Sequence, residues 1–126
     1  MRQTILLIDD NAVQAATRQA ILRHAGYTVV TASDPAQALQ QLQSGGFAGV
    51  ALVITDHIMP AMNGAEFVRK LRETHPKVPI MVISGLLEAE AEYEEFNVLF
   101  CVKPLHPDKM LAGVRDLLEA RRRGAA

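Results

Sequence analysis

The chain has 126 residues, the length of one ordinary domain, with 13 basic and 14 acidic residues and a formal net charge of -1. Hydrophobic residues make up 49% and Trp is missing, so a packed aliphatic core is expected. Aromatics at only 5% argue against a base-stacking surface, and nothing in the charge balance draws the chain to nucleic acid or an anionic membrane.

Thr4 to Ile8 is apolar without polar alternation, which predicts a strand buried on both faces. The run is far too short for a signal peptide or a membrane span, so a soluble, cytoplasmic protein is expected. Asn11 is placed to cap a first helix whose inner stripe is read as Val13, Ala16, Ala20 and Ile21, with Gly26 ending it. Tyr27 to Ala32 is a β-branched second strand. Ser33-Asp34-Pro35 starts a second helix, with Ala38, Leu39 and Leu42 inward and Gly45-Gly46 as its stop. Val50 to Thr55 is a third strand. Asn63-Gly64 opens a third helix with Phe67, Val68 and Leu71 inward. Val78 to Ile83 is a fourth strand, Leu87 to Phe96 a short acidic helix, and Val98 to Val102 a fifth strand. The last helix is expected from about Pro107 to Arg122, burying Met110, Leu111, Val114, Leu117 and Leu118. Arg121, Arg122 and Arg123 fall in its final turn, where cations suit the helix dipole. The single cysteine, Cys101, excludes an internal disulfide, fits a reducing compartment and is expected to be an inert core residue.

Five β-then-α units with apolar strands define an α/β fold, a doubly wound five-stranded parallel sheet covered by helices on both faces as a three-layer sandwich. Periodicity does not dictate the strand order; the expected order is 2-1-3-4-5. One domain over residues 1–126 is expected, without internal repeats or linker.

The polar residues at strand ends carry the chemistry. Asp9 and Asp10 end the first strand, Asp56 the third, Ser84 the fourth and Lys103 the fifth. Open α/β sheets bind ligands at this carboxyl edge. Singly, each residue has a bland reading: an N-cap, a turn, a strand end. Together they do not, because two carboxylates about 4 Å apart repel by roughly 4 kcal/mol at an effective dielectric near 20. Lys103 supplies one balancing charge, and a divalent ion supplies two. Hard oxygen donors favour Mg²⁺, and a metal beside a lysine makes a receptacle for a phosphoryl group, which an Asp can accept covalently.

Ile8-Asp9-Asp10, Asp56-His57-Ile58-Met59-Pro60 with Gly64, Ile83-Ser84 and Lys103-Pro104 resemble, in order and over essentially the whole chain, the receiver domain of two-component response regulators, a CheY-like, flavodoxin-like fold. The resemblance implies a phosphorylation-activated switch that accepts a phosphoryl group on Asp56 from a sensor histidine kinase or phosphotransfer protein. It implies Asp10 and Asp56 as direct Mg²⁺ ligands, Asp9 acting through water, and the Ile58 carbonyl as a further ligand. Ser84 and Lys103 would contact the phosphoryl group, and the bond before Pro104 would be cis. Phe100 would act as a rotamer switch coupled to Ser84; a plain core aromatic reads equally well at that position. Beyond self-catalysed phosphorylation and dephosphorylation, no enzyme activity is implied. The output partner is not implied, and a homodimer is left open.

Two features depart from the family pattern. Only 103 − 84 = 19 positions separate Ser84 from Lys103, a shorter interval than usual, and the segment between them is acidic. Ile58 and Leu86 are apolar at positions that tune phosphoryl lifetime in this family, so slow autodephosphorylation is expected. His57 is expected to face solvent or the opposite side of the sheet. The alternatives are a receiver-like module acting without phosphorylation and a phosphatase of the haloacid-dehalogenase kind. The adjacent Asp9-Asp10 pair and the lack of length for a cap argue against the phosphatase.

Overall fold

A computed structural model describes residues 3–46 and 49–125. The strands are β1 (Thr4–Ile8), β2 (Thr28–Ala32), β3 (Val50–Asp56), β4 (Ile80–Ser84) and β5 (Leu99–Val102). All neighbours pair in parallel, in the order β2-β1-β3-β4-β5. The helices are α1 (Ala12–His24), α2 (Pro35–Gln43), α3 (Gly64–Thr74) and α4 (Pro107–Ala125), with a 3₁₀ segment at Leu87–Phe96.

Strand side chains alternate between faces, so the sheet sorts its own core. Ile5, Leu7, Leu52, Ile54, Met81 and Ile83 pack on one face with Leu22 of α1 and with Met110, Val114 and Leu118 of α4. Leu6, Ile8, Val53, Ile80 and Val82 pack on the other, with α2, α3 and Tyr93 of the 3₁₀ segment. The predicted inward residues of α2 and α3 are buried as expected. Cys101 is half-buried, and burial pushes its thiol pKa up, away from the reactive thiolate.

Of the expected inner stripe of α1, only Ile21 packs against the core, and only in part. Val13 is 78% exposed, Ala16 and Ala20 are exposed, and Ile21 is half-buried. The buried residues of the helix are Arg18 and Leu22, on one i, i+4 row with Gln14. Two polar residues at the site end of that row displaced the apolar pattern from the face that packs.

The short interval before β5 is bridged by a change of helix type. Ten residues of 3₁₀ helix span about 20 Å, the reach of roughly 13 residues of α-helix. Long 3₁₀ runs are rare, and this one is clamped. Arg72 of α3 donates to the carbonyls of Phe96 at 2.8 Å and Asn97 at 3.2 Å. It also donates to His75 at 3.0 Å and Val78 at 2.7 Å. Asn97 ends the segment in the left-handed region, at φ 54.

Candidate functional site

The alternation that sorts the core also builds the site. Leu7 pairs with Ile54 and Ile8 with Thr55, so one step further Asp9 stands beside Asp56. Asp9 continues the Ile5-Leu7 row and Asp56 the Leu52-Ile54 row, both on the α1 and α4 face. Lys103 continues the row of Leu99 and Cys101 on that same face. Parallel neighbours lie about 4.8 Å apart, which brings the two carboxylates within reach of shared partners.

Those partners come from α1. Gln14 Nε2 donates to Asp9 Oδ2 and to Asp56 Oδ2, both at 2.9 Å. Arg18 Nη1 donates to the same two oxygens, at 3.2 and 3.1 Å. Asp9 Oδ1 accepts from the Asn11 amide at 2.9 Å. Asp9 and Asp56 are each 3% exposed and Arg18 8%, so this is an ion cluster inside the protein. Asp56 Oδ1 is buried and receives no aligned hydrogen bond; Lys103 Nζ, at 3.2 Å, is its charge partner. Burial raises the Asp56 pKa above its ordinary value of 3.8. Arg18 pulls it down, Asp9 pushes it up and Lys103 pulls it down.

Asp10 and Ile58 are exposed beside this cluster. Among the described residues, no group of three or more His, Cys, Asp or Glu side chains is gathered closely enough to hold a metal. The donor set still suits a hard cation in kind, with acidic oxygens on Asp9, Asp10 and Asp56 and one of them, Asp56 Oδ1, lacking a donor. Ser84 is buried, and its hydroxyl is engaged locally, accepting from the Leu86 amide at 2.9 Å. It lies on the row of Ile80 and Val82, facing α3. Phe100 is on that side as well, half-buried, with its ring 5.7 Å from that of Tyr93. The Lys103-Pro104 bond is cis, as expected.

His57, next in sequence to Asp56, is turned by the same alternation to the opposite face. Of the two placements expected for it, solvent is excluded. It is 6% exposed, with Nδ1 2.5 Å from Tyr93 Oη and Nε2 3.5 Å from Glu92. Burial also raises the Tyr93 pKa. Gly64 makes this packing fit: a Cβ there would meet Asp56 O at 2.7 Å and His57 Cα at 2.9 Å. Sequence reasoning missed Gln14, Arg18, Arg72 and Tyr93. For the first two, the Gln14-Arg18-Leu22 spacing was the available signal.

A five-stranded sheet of this order, with acids and a lysine gathered at its carboxyl edge, defines a doubly wound α/β domain with a charged site where such folds bind ligands. The model of the response regulator receiver domain matches residues 5–115, and the chain belongs to that family of two-component signalling switches. It is 27% identical over 98% of its length to the putative two-component response regulator ARR21 of Arabidopsis thaliana. It is 30% identical over 92% to the sensor kinase CckA of Brucella abortus. The chain spans only 20% and 12% of those two proteins. Among solved structures, a response regulator receiver protein from Sinorhizobium medicae superposes with a TM-score of 0.84 at 32% identity, covering 95% of this chain and 97% of that one. The response regulator TrrA of Thermotoga maritima, solved in complex with Mg²⁺–BeF, has the same fold. Its TM-score is 0.82 at 24% identity, covering 92% and 99%. Among the described residues, no helix is long and apolar enough to cross a membrane.

Proposed function

We propose that Asp56 is the phosphoacceptor of this receiver, taking its phosphoryl group from a histidine kinase or a phosphotransfer protein. The observation that carries the reading is Asp56 Oδ1, a buried carboxylate oxygen without a hydrogen-bond donor, facing the Lys103 ammonium at 3.2 Å. An acceptor left open beside a cation is arranged for an incoming anion. As the bond from Oδ1 to phosphorus forms, the phosphorus–nitrogen bond of the donor histidine breaks. The imidazole leaves with the electron pair and takes its proton from solvent.

Lys103 holds charge on the transferred group at a point where burial magnifies it. Asp9, Asp10, Asp56 and the Ile58 carbonyl are the residues that would hold Mg²⁺, which would neutralise phosphoryl oxygens during transfer. Ser84 would exchange its local bond to Leu86 for one to the phosphoryl group. Phe100, beside the Tyr93 ring, would then move into the space vacated and alter the β4 and β5 edge.

The test uses beryllofluoride, a phosphoryl mimic. Added to protein already in saturating Mg²⁺, it should shift ¹H–¹⁵N signals at Asp56, Ser84, Phe100 and Lys103 in the wild type and none of them in Asp56→Asn. Shifts that persist in the mutant would contradict the assignment.

A further inference from the structure

The buried cluster is charge-balanced without a metal, while the third acid, Asp10, lies exposed beside it. Asp9 and Asp56 contribute two negative charges; Arg18 and Lys103, both within ion-pair distance, contribute two positive ones. The Oδ2 atoms of both carboxylates are shared between one guanidinium nitrogen and the Gln14 amide. A buried arginine is rare unless paired, and here it bridges the two acids that carry the buried negative charge.

We infer that Arg18, steadied by Gln14, is a built-in cation that closes the resting carboxylate pair, so that a divalent ion enters only by displacing it. The inference rests on the proposed metal site. A groove lined by Gln14, Thr17, Arg18, Lys103, Pro104 and Met110 runs up to the cluster, so the displaced guanidinium has an open side to move to. Divalent metal then binds weakly at rest. It binds better once a phosphoryl dianion adds the negative charge that lets both cations stay.

The test is a Mg²⁺ titration of metal-free protein followed by ¹H–¹⁵N NMR, in wild type, Arg18→Met and Arg18→Lys. Met keeps the aliphatic stem and removes the charge, so it should bind Mg²⁺ about tenfold more tightly or better. Lys keeps the charge and should stay close to the wild type. In the wild type, the Arg18 Nε–H signal should move as Mg²⁺ saturates, and this readout holds even where a variant fails to fold. Equal Mg²⁺ affinity in wild type and Arg18→Met, or an Arg18 signal that ignores Mg²⁺, overturns the inference and leaves the metal site standing. No saturable Mg²⁺ binding in either folded protein removes the metal site and the inference together.

Discussion

Asp56→Asn should make the metal-free protein more stable at neutral pH. The Asp56 side chain is almost wholly buried, one of its oxygens lacks an aligned donor, and burial is the largest influence on its ionisation. Asn keeps the shape and removes the charge. The gain comes from no longer burying a charge, since Asn still places a polar atom at each carboxylate position. Arg18 keeps Asp9 as a partner in the mutant, but Lys103 loses its own, which offsets part of the gain. The expected net stabilisation is about 1–2 kcal/mol at pH 7. The pH dependence carries a definite sign. Because the folded-state pKa of Asp56 is raised, the folded protein holds this proton more tightly than the unfolded chain. Wild-type stability therefore falls as pH rises from the ordinary carboxylate value of 3.8 through the folded pKa, and the mutant escapes that loss. Urea denaturation in chelator across pH measures it: the two proteins should converge on the acid side and separate toward pH 7. A mutant less stable than the wild type at pH 7 would refute the reasoning and show that the ion pairs outweigh the burial.

Three further outcomes follow from other parts of the fold. Arg72→Met strips four carbonyls of a charged donor and should cost about 2–4 kcal/mol in urea denaturation, with faster amide exchange around Phe96 and Asn97; a loss under about 0.5 kcal/mol would remove the clamp from the account. Gly64→Ala drives a methyl into the backbone of Asp56 and His57, which cannot yield as a side chain would, and should cost about 1–3 kcal/mol by thermal or chemical denaturation. Ile58 and Leu86 are exposed and apolar, and neither can hold an attacking water, so the phosphorylated protein should lose its group slowly. Ile58→Glu should shorten that lifetime roughly tenfold or more, and a wild-type half-life of seconds would defeat the explanation.

The architecture was legible because each buried strand is an unbroken apolar run and three of the helices carry their own start signal, at Asn11, Asp34 and Asn63. The acids and the lysine were legible because they interrupt those runs at one shared edge. What the sequence concealed lies where polarity and burial part company. Gln14 and Arg18 face inward although they are polar, since the cluster they enter is charged, and a reading by hydropathy turned α1 to the wrong face. His57 follows Asp56 in sequence yet is buried on the far side. Its partner Tyr93 is 36 residues away, and no local pattern announces the pair. The acidic run before β5 reads as helix in either form; only the span it has to cover selects 3₁₀ geometry.

The central claim, phosphorylation at Asp56, is tested most directly by intact mass after incubation with acetyl phosphate and Mg²⁺, in wild type and Asp56→Asn. A gain of one phosphoryl group in the wild type, lost in the mutant, is the predicted result. No gain in a folded wild-type protein, or an equal gain in both, would contradict it and leave a receiver fold that acts without phosphorylation at this residue.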